Sequence, residues 1–349
     1  MSHQVSHSSV GQRMTAEQPR LTAAEAGALA RDHFGLTGTL APLTSERDQN
    51  FRLTTAEGRN YVLKIANAAE PAEVTNFQTE ALAHIARTAP DLPVPRVIAA
   101  RDGRVEIALP SGSIVRILTW VEGTPLHLVP RTPALRRSVG AMAAHLTKAL
   151  EGFRHAAEGH ELIWDIRNAG RLRQLLASVP DIALRATCET ALDRFDAEIS
   201  PALARLPWQV VHADFNPHNL LTDPGATRIT GILDFGDMVR TARVCDLAVA
   251  ASYHADPAEP LATLVDVIAG WHSVLPLLAG EEGLILDLVA MRMVTTIVLS
   301  NWRAARQPEH AGYFLRNLPV SRAGFEALSA LDRGAARARL AALIRTGAP

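Results

Sequence analysis

Apolar positions along this 349-residue chain recur with two different periods, and the change falls near residue 120. Before it, residues 51–55 (FRLTT) and 60–66 (NYVLKIA) are short β-rich runs separated by Glu57-Gly58-Arg59, which predicts a hairpin. After Pro71, the side chains Val74, Phe77, Ala81, Leu82 and Ile85 fall at helical spacing over 72–88. Leu92-Pro93-Val94-Pro95 then ends that helix, because proline has no N–H to give and biases its predecessor toward extended backbone. Two further β-rich runs, 104–109 and 113–121, are joined by Pro110-Ser111-Gly112. The order β-β-α-β-β predicts a mostly antiparallel sheet with one helix packed on it.

From Gly123 onward the period is helical. Residues 135–153 place Leu135, Val139, Met142, Ala143, Leu146, Leu150 and Phe153 on one stripe, and further helices are predicted at 167–178, 182–204, 258–276, 281–306 and 325–346. One β-like island, 208–237, interrupts them: Trp208-Gln209-Val210-Val211 and Ile229-Thr230-Gly231-Ile232-Leu233 flank a polar loop. The expected fold class is α+β, with a small β-rich lobe at 21–120, a larger helical lobe at 121–346 and the chemistry in a cleft between them. Residues 1–20 lack the apolar stretch of a signal peptide and are expected to form a disordered polar lead, with Met14 an alternative start.

Composition narrows the class. With 35 Lys+Arg against 36 Asp+Glu there is no basic field for a polyanion, which argues against a nucleic-acid or membrane-surface partner. The apolar windows at 260–280 and 284–299 are interrupted by Asp266, His272, Asp287 and Arg292, and predict buried helices, not membrane spans. Two cysteines, Cys188 and Cys245, make no stapling framework and no C-x-x-C pair, as expected of a cytoplasmic protein.

The island carries the chemistry: His212-Ala213-Asp214-Phe215-Asn216-Pro217-His218-Asn219, then Asp234-Phe235-Gly236. Carboxylate and amide oxygens gathered at strand ends suit Mg²⁺, which takes oxygen ligands and completes its shell with water and substrate phosphates. The remaining Asp can take a proton from an attacking hydroxyl. That division of labour, H-x-D-x₄-N followed by D-F-G, is the one used in kinase-type phosphoryl transfer. His212 and His218 lack the spacing of a zinc site, and His212 reads as a scaffold residue that bonds the loop backbone and holds Asp214.

Such a centre needs a lysine from the β-rich lobe. Lys64, a charge inside the apolar strand Tyr61-Val62-Leu63-Lys64-Ile65, is expected to meet nucleotide phosphates and a carboxylate, with Glu80 the first candidate and Glu73 its rival. Ser45-Glu46-Arg47-Asp48-Gln49-Asn50-Phe51 stands where a phosphate-covering loop belongs, but has no G-x-G-x-x-G, so polar side chains such as Ser45 and Asn50 and backbone N–H groups would do the cradling. After Gly236 there is no activation segment or A-P-E to dock a polypeptide, and the helices resume near Asp246-Leu247-Ala248. The acceptor is therefore expected to be a small molecule.

These residues, with Arg116-Ile117-Leu118-Thr119-Trp120, Gly123-Thr124-Pro125-Leu126 and Trp164-Asp165, resemble the aminoglycoside phosphotransferase/choline kinase group over about 20–345, and within it are most similar to the hydroxylysine kinases. The resemblance implies the two-lobed protein-kinase-like fold. It also implies Asp214 as base, Asn219 and Asp234 as ligands to Mg²⁺ (two ions expected with the nucleotide), and Lys64 on the phosphates. The purine would lie against Leu118 and Trp120, with GTP as donor and ATP possible. The group's usual loop is H-G-D; here Ala213 stands in place of the glycine.

Recognition of an amino-acid acceptor calls for an anion near its ammonium and cations near its carboxylate. Asp237, Asp165 beside the cation–π face of Trp164, and Trp302 with Arg303 are the candidates. The leading expectation is a small-molecule kinase acting on a hydroxyl of an amino-bearing metabolite, 5-hydroxylysine favoured. Alternatives are an aminoglycoside-modifying or homoserine- or choline-type kinase of the same fold, and a non-catalytic nucleotide-binding module.

Overall fold

The computed structural model describes residues 17–45 and 47–346. The chain divides into two units, one formed by residues up to Glu122 with Phe153–Glu161 and Gly231–Gly236, the other by Gly123–Gly152, Leu162–Thr230 and the residues from Asp237 onward. Of the polar lead expected at 1–20, residues 1–16 lie outside the described residues.

The first unit begins with a helix that the hydrophobic pattern did not predict, α1 (Ala23–Leu29), which widens into one further turn ending at Phe34. Its start is nonetheless written locally as Thr22-Ala23-Ala24-Glu25. The Glu25 N–H donates to Thr22 Oγ1 (3.2 Å) and the Thr22 N–H to Glu25 Oε2 (2.8 Å), satisfying N–H groups that a helix start leaves unpaired. Gly35, at φ 72°, stops it.

Strands β1 (Thr39–Leu43), β2 (Gln49–Thr54) and β3 (Asn60–Ile65) follow, then α2 (Ala72–Thr88), β4 (Val97–Ile98), β5 (Ile107–Ala108) and β6 (Ile114–Thr119). They form an antiparallel sheet in the order β1-β2-β3-β6-β4, with β5 also on β6. Strand alternation decides the two faces. Phe51, Leu53, Leu63, Ile65, Val115 and Ile117 are buried in one core with Ala26, Ala30 and Phe34 of α1. Their neighbours Asn50, Lys64 and Arg116, which share one cross-strand row, take the opposite face, and Arg116 bonds α2. The sheet thus carries a helix on each face, where the sequence predicted only α2. The strand expected over 104–109 shrinks to β5, because Arg104 is held back in a turn by Asp102, its N–H donating to Asp102 Oδ1 (3.0 Å).

The second unit opens with β7 (Thr124–Pro125) and α3 (Pro133–Ala149), whose N-cap Thr132 accepts the Leu135 N–H (3.2 Å). Phe153, expected on the α3 stripe, lies past its end in the first unit and stacks on Phe77 of α2 with ring centroids 5.9 Å apart. A tight helical stretch, Ile166–Ser178, starts from the cap Asp165. The helix expected over 182–204 divides into α4 (Ile182–Arg194), a wide turn at Phe195–Ile199 and a short last turn. Pro201 explains the break: it gives no N–H, and its ring crowds the carbonyl one turn back.

The two β-like runs of the island fall in different sheets. β8 (Trp208–Val211) pairs with β11 (Val239–Ala242), while β9 (Leu220–Thr222) pairs with β7 and lies beside β10 (Ile229–Ile232). The longer helices that follow are α5 (Val244–Ser252), α6 (Pro260–Val274), α7 (Ala279–Arg306), α8 (Leu318–Ser329) and α9 (Arg333–Thr346). The single helix expected at 325–346 is two, because Asp332 starts a new one by accepting the Ala335 N–H (2.7 Å). Gly140 on α3 and Gly270 on α6 let these helices pack backbone to backbone: a Cβ would stand 1.8 Å from Val267 O at the first and 2.0 Å from Arg137 O at the second. α7 is long and apolar enough to cross a membrane, but 83% of its most apolar stretch is buried inside the protein.

Candidate active site

β8 runs out into His212-Ala213-Asp214. The turn is tight: Ala213 sits at φ 62°, a left-handed conformation that its Cβ resists. What holds it is a residue the sequence reading passed over, Asp246 on α5. Fully buried, Asp246 accepts the N–H groups of His212 (3.2 Å) and Ala213 (2.7 Å), and the Thr147 hydroxyl (3.4 Å). Burial raises its carboxyl pKa, while the neighbouring His212 and those backbone N–H groups pull the other way. His212 Nδ1 in turn accepts the Asp214 N–H (3.2 Å), the kind of backbone contact expected of a scaffold residue.

Both oxygens of Asp214 are engaged. Asn216 Nδ2 and Asn219 Nδ2 donate to Oδ2 at 2.9 and 2.6 Å, and an Arg292 guanidinium nitrogen lies 3.2 Å from Oδ1. Arg292, on α7, also donates to Trp164 O (3.0 Å) and Tyr253 OH (3.2 Å). Burial opposes its charge, but Tyr253, Asp214 and Asp237 outweigh that and raise its pKa. In the sequence Arg292 registers only as an interruption of an apolar window. A charge in the middle of a long apolar helix is costly unless paired, and that was the available signal.

In the first unit, Lys64 Nζ lies 3.7 Å from Asp48 Oδ2 and 3.8 Å from Asp234 Oδ1. Neither Glu80 nor Glu73 makes an ion pair with Lys64 among the described residues, which corrects the expected partner. The α2 side chain that joins this row to Gly236 is Gln78: its Oε1 accepts from Arg116 (2.9 Å) and its Nε2 donates to Gly236 O (3.4 Å). Arg116, buried beside Lys64, brings a second cation into the row. Desolvation depresses the Arg116 pKa, and Asp48, Glu106 and Asp234 counter it.

Asp234, also left-handed at φ 58°, turns its carboxylate back on the Gly236 N–H (3.2 Å), and its side chain is 55% exposed. A carboxylate open to solvent is a hard donor suited to a divalent ion that draws its other ligands from phosphates and water. The described residues contain no group of three or more His, Cys, Asp or Glu side chains that could hold a metal alone. Asn50 stands opposite Lys64 with a buried Oδ1 that has no hydrogen-bond partner among the described residues. Ser45 O accepts from Gln18 (2.7 Å), while Glu46 lies outside the described residues. Leu118 is buried on β6, and Trp120 just beyond it carries Arg52 over its ring at 4.7 Å.

The acceptor candidates fare unevenly. Asp165 is 2% exposed, bonds Thr241 (3.1 Å) and the Arg167 N–H (3.0 Å), and caps a helix, so it is not open to an ammonium. Trp164 does offer a cation–π face, but Arg292 takes it at 5.3 Å. Trp302 and Arg303 are buried on α7, with Arg306 over the Trp302 ring at 4.8 Å and Arg303 over Phe314 at 3.9 Å. Asp237 is half-buried, and its charge bears on Arg292.

The model of the phosphotransferase enzyme family, APH, matches residues 39–284. Hydroxylysine kinase of Mus musculus is 29% identical over 333 residues, 87% of this chain and 88% of that protein. Among solved structures, the microcompartment-associated aminopropanol kinase aligns with a TM-score of 0.68 at 20% identity, covering 87% of this chain and 99% of its own. An amicoumacin kinase in complex with AMP-PNP, Ca2+ and Ami aligns at 0.60 and 14% identity, covering 81% and 87%. The kinase-like fold expected from the sequence is therefore the fold of this protein. The chain belongs to the phosphotransferase enzyme family, APH, and is a small-molecule kinase that transfers phosphoryl groups to hydroxyl acceptors.

Proposed function

We propose that this enzyme transfers the γ-phosphoryl group of GTP, or of ATP, to a hydroxyl of an amino-bearing metabolite, with 5-hydroxylysine the favoured acceptor. The observation that carries the reading is the Asp214 carboxylate, fixed by Arg292 on one oxygen and by Asn216 and Asn219 on the other. A carboxylate fixed this way is oriented to accept a proton from a hydroxyl as the phosphoryl group leaves the nucleotide. Similarity to hydroxylysine kinase along most of both chains supports the choice of acceptor and of a purine nucleotide donor.

In this reading Lys64, steadied by Asp48 and Asp234, meets the nucleotide phosphates, and Asn50 and Ser45 lie in the segment that covers them. The purine would rest near Leu118 and Trp120. Asn219 and Asp234 would hold Mg²⁺, which when bound screens the phosphate charge. Asp237 remains the candidate for the acceptor's ammonium. The sheet-bearing unit is proposed as the nucleotide-binding domain and the helical unit as the acceptor domain. Two buried, free cysteines support a cytoplasmic setting.

The test is an acceptor panel of 5-hydroxylysine, ethanolamine, choline, homoserine and kanamycin, run with GTP and with ATP and read as nucleoside diphosphate release, with Asp214→Ala as control. Turnover of 5-hydroxylysine that the control lacks supports the reading. Turnover confined to kanamycin overturns the acceptor, and full activity in Asp214→Ala overturns the base.

A further inference from the structure

A group of cationic and titratable side chains gathers on the second unit beside the Asp214 loop, and the chemistry above uses none of it. His127, which follows β7, stacks on His218 of the loop with ring centroids 4.1 Å apart. The His127 N–H donates to Pro217 O (3.2 Å), so the two segments are tied by backbone as well as by rings. Arg131 and Arg316 stand close enough for their charges to act on both imidazoles, and the Asn317 side chain bonds His218.

These arginines differ from their neighbours. Arg136 and Arg322 each pair with a carboxylate, Arg136 with Asp266 and Arg322 with Asp181 and Glu326. Arg131 instead donates to the Tyr253 carbonyl, Arg316 lies 4.0 Å over the Tyr313 ring, and neither has an acidic partner among the described residues. The stacked imidazole rings of His127 and His218 bring N–H donors beside these two guanidinium cations. Like charges collected without a counter-ion are unfavourable until an anion joins them, and a planar carboxylate matches the guanidinium fork.

We infer that His127, Arg131, His218 and Arg316 form the receptor for a carboxylate on the acceptor, which makes the acceptor class hydroxylated amino acids, not plain amino alcohols. The inference rests on the amino-bearing acceptor proposed above and names its second recognition group. One side chain joins receptor to base: Asn216 Oδ1 accepts the His218 N–H (2.8 Å) while its Nδ2 donates to Asp214 Oδ2 (2.9 Å). An acceptor held by its carboxylate is thereby registered against the carboxylate that takes its hydroxyl proton.

The experiment follows the imidazole NMR signals of His127 and His218 in the full chain during titration with 5-hydroxylysine, with its decarboxylated counterpart, the hydroxylated diamine, and with acetate. Both rings should respond to 5-hydroxylysine and to acetate but not to the diamine, and Arg316→Gln should weaken the acetate and 5-hydroxylysine responses about tenfold. In turnover, the kcat/KM ratio of 5-hydroxylysine to the diamine should be at least about tenfold and fall toward one in Arg316→Gln. Equal kcat/KM for the two compounds overturns the receptor and leaves the kinase reading intact. If neither is phosphorylated the proposed acceptor falls, and the acetate titration still decides the receptor: silent rings overturn it.

Discussion

Arg292, buried in the middle of α7, places its guanidinium 3.2 Å from Oδ1 of Asp214, so the carboxylate read as the base is anchored by a cation from a helix far along the chain. That anchor also bonds Trp164 O and Tyr253 OH, and so fixes Asp214 to two other segments of the same unit. Arg292→Met should lower kcat by at least about tenfold while changing the acceptor KM less, since it disturbs the orientation of the base more than binding. Removing one partner of a buried pair costs about 3–5 kcal/mol, and the partial exposure of Asp214 reduces that to about 2–3 kcal/mol here. Steady-state kinetics with urea unfolding checks both, and an unchanged kcat counts against the anchor.

The loop before the base depends on Asp246. In Asp246→Ala the buried N–H groups of His212 and Ala213 lose their acceptor, at about 1–3 kcal/mol each. Asp246→Asn keeps one acceptor oxygen and should lose roughly half as much. Urea midpoints of the three proteins should fall in the order wild type, Asn, Ala; a midpoint for Asp246→Ala equal to wild type would show that the loop holds itself.

Ala213 carries a conformational cost that glycine would not. Relief of about 1–2 kcal/mol of left-handed strain exceeds the added chain entropy of glycine, about 0.5–1 kcal/mol, so Ala213→Gly should raise the melting temperature slightly with activity kept. A lower melting temperature would mean that the methyl packs more favourably than it strains.

Acid should destabilise the second unit through two histidines. Burial, with Arg131 and Arg136 nearby, depresses His254 to about 3, and burial with Arg316 and His127 depresses His218 to about 4. Both folded values lie below the unfolded value of about 6.5, so the unfolded chain takes up protons first. Their contribution is whole above about pH 6.5 and is lost as pH falls toward 4 and then 3. His254→Leu, at a site where neither ring nitrogen has a partner among the described residues, should flatten the stability curve between those limits. Urea unfolding at stepped pH reads it, and an unaltered slope refutes the assignment.

Lys64 distinguishes its true partners from the expected one. Asp48→Ala should lower kcat/KM for the nucleotide by about fivefold or more, and Glu80→Ala by less than about twofold. The reverse order would restore Glu80 as the partner.

The chain order alone determined the β2–β3 hairpin, the strand β6, the helix α2 and the motif His212, Asp214, Asn219, Asp234, because alternation, proline breaks and the spacing of carboxylates and amides are local properties. Local signals also existed for α1, in its capping box, and for the break at Pro201, although the hydrophobic period passed over both. Only the tertiary structure decided which distant groups meet. Asp246 under the loop, Arg292 on Asp214, Gln78 with Arg116, and Asp48 with Lys64 are pairings across long stretches of sequence, set by packing and by the need to satisfy buried charge. Burial likewise turned Asp165, Trp302 and Arg303 from candidate ligand contacts into parts of the core, since exposure depends on which neighbours fold over a residue and not on the residue itself.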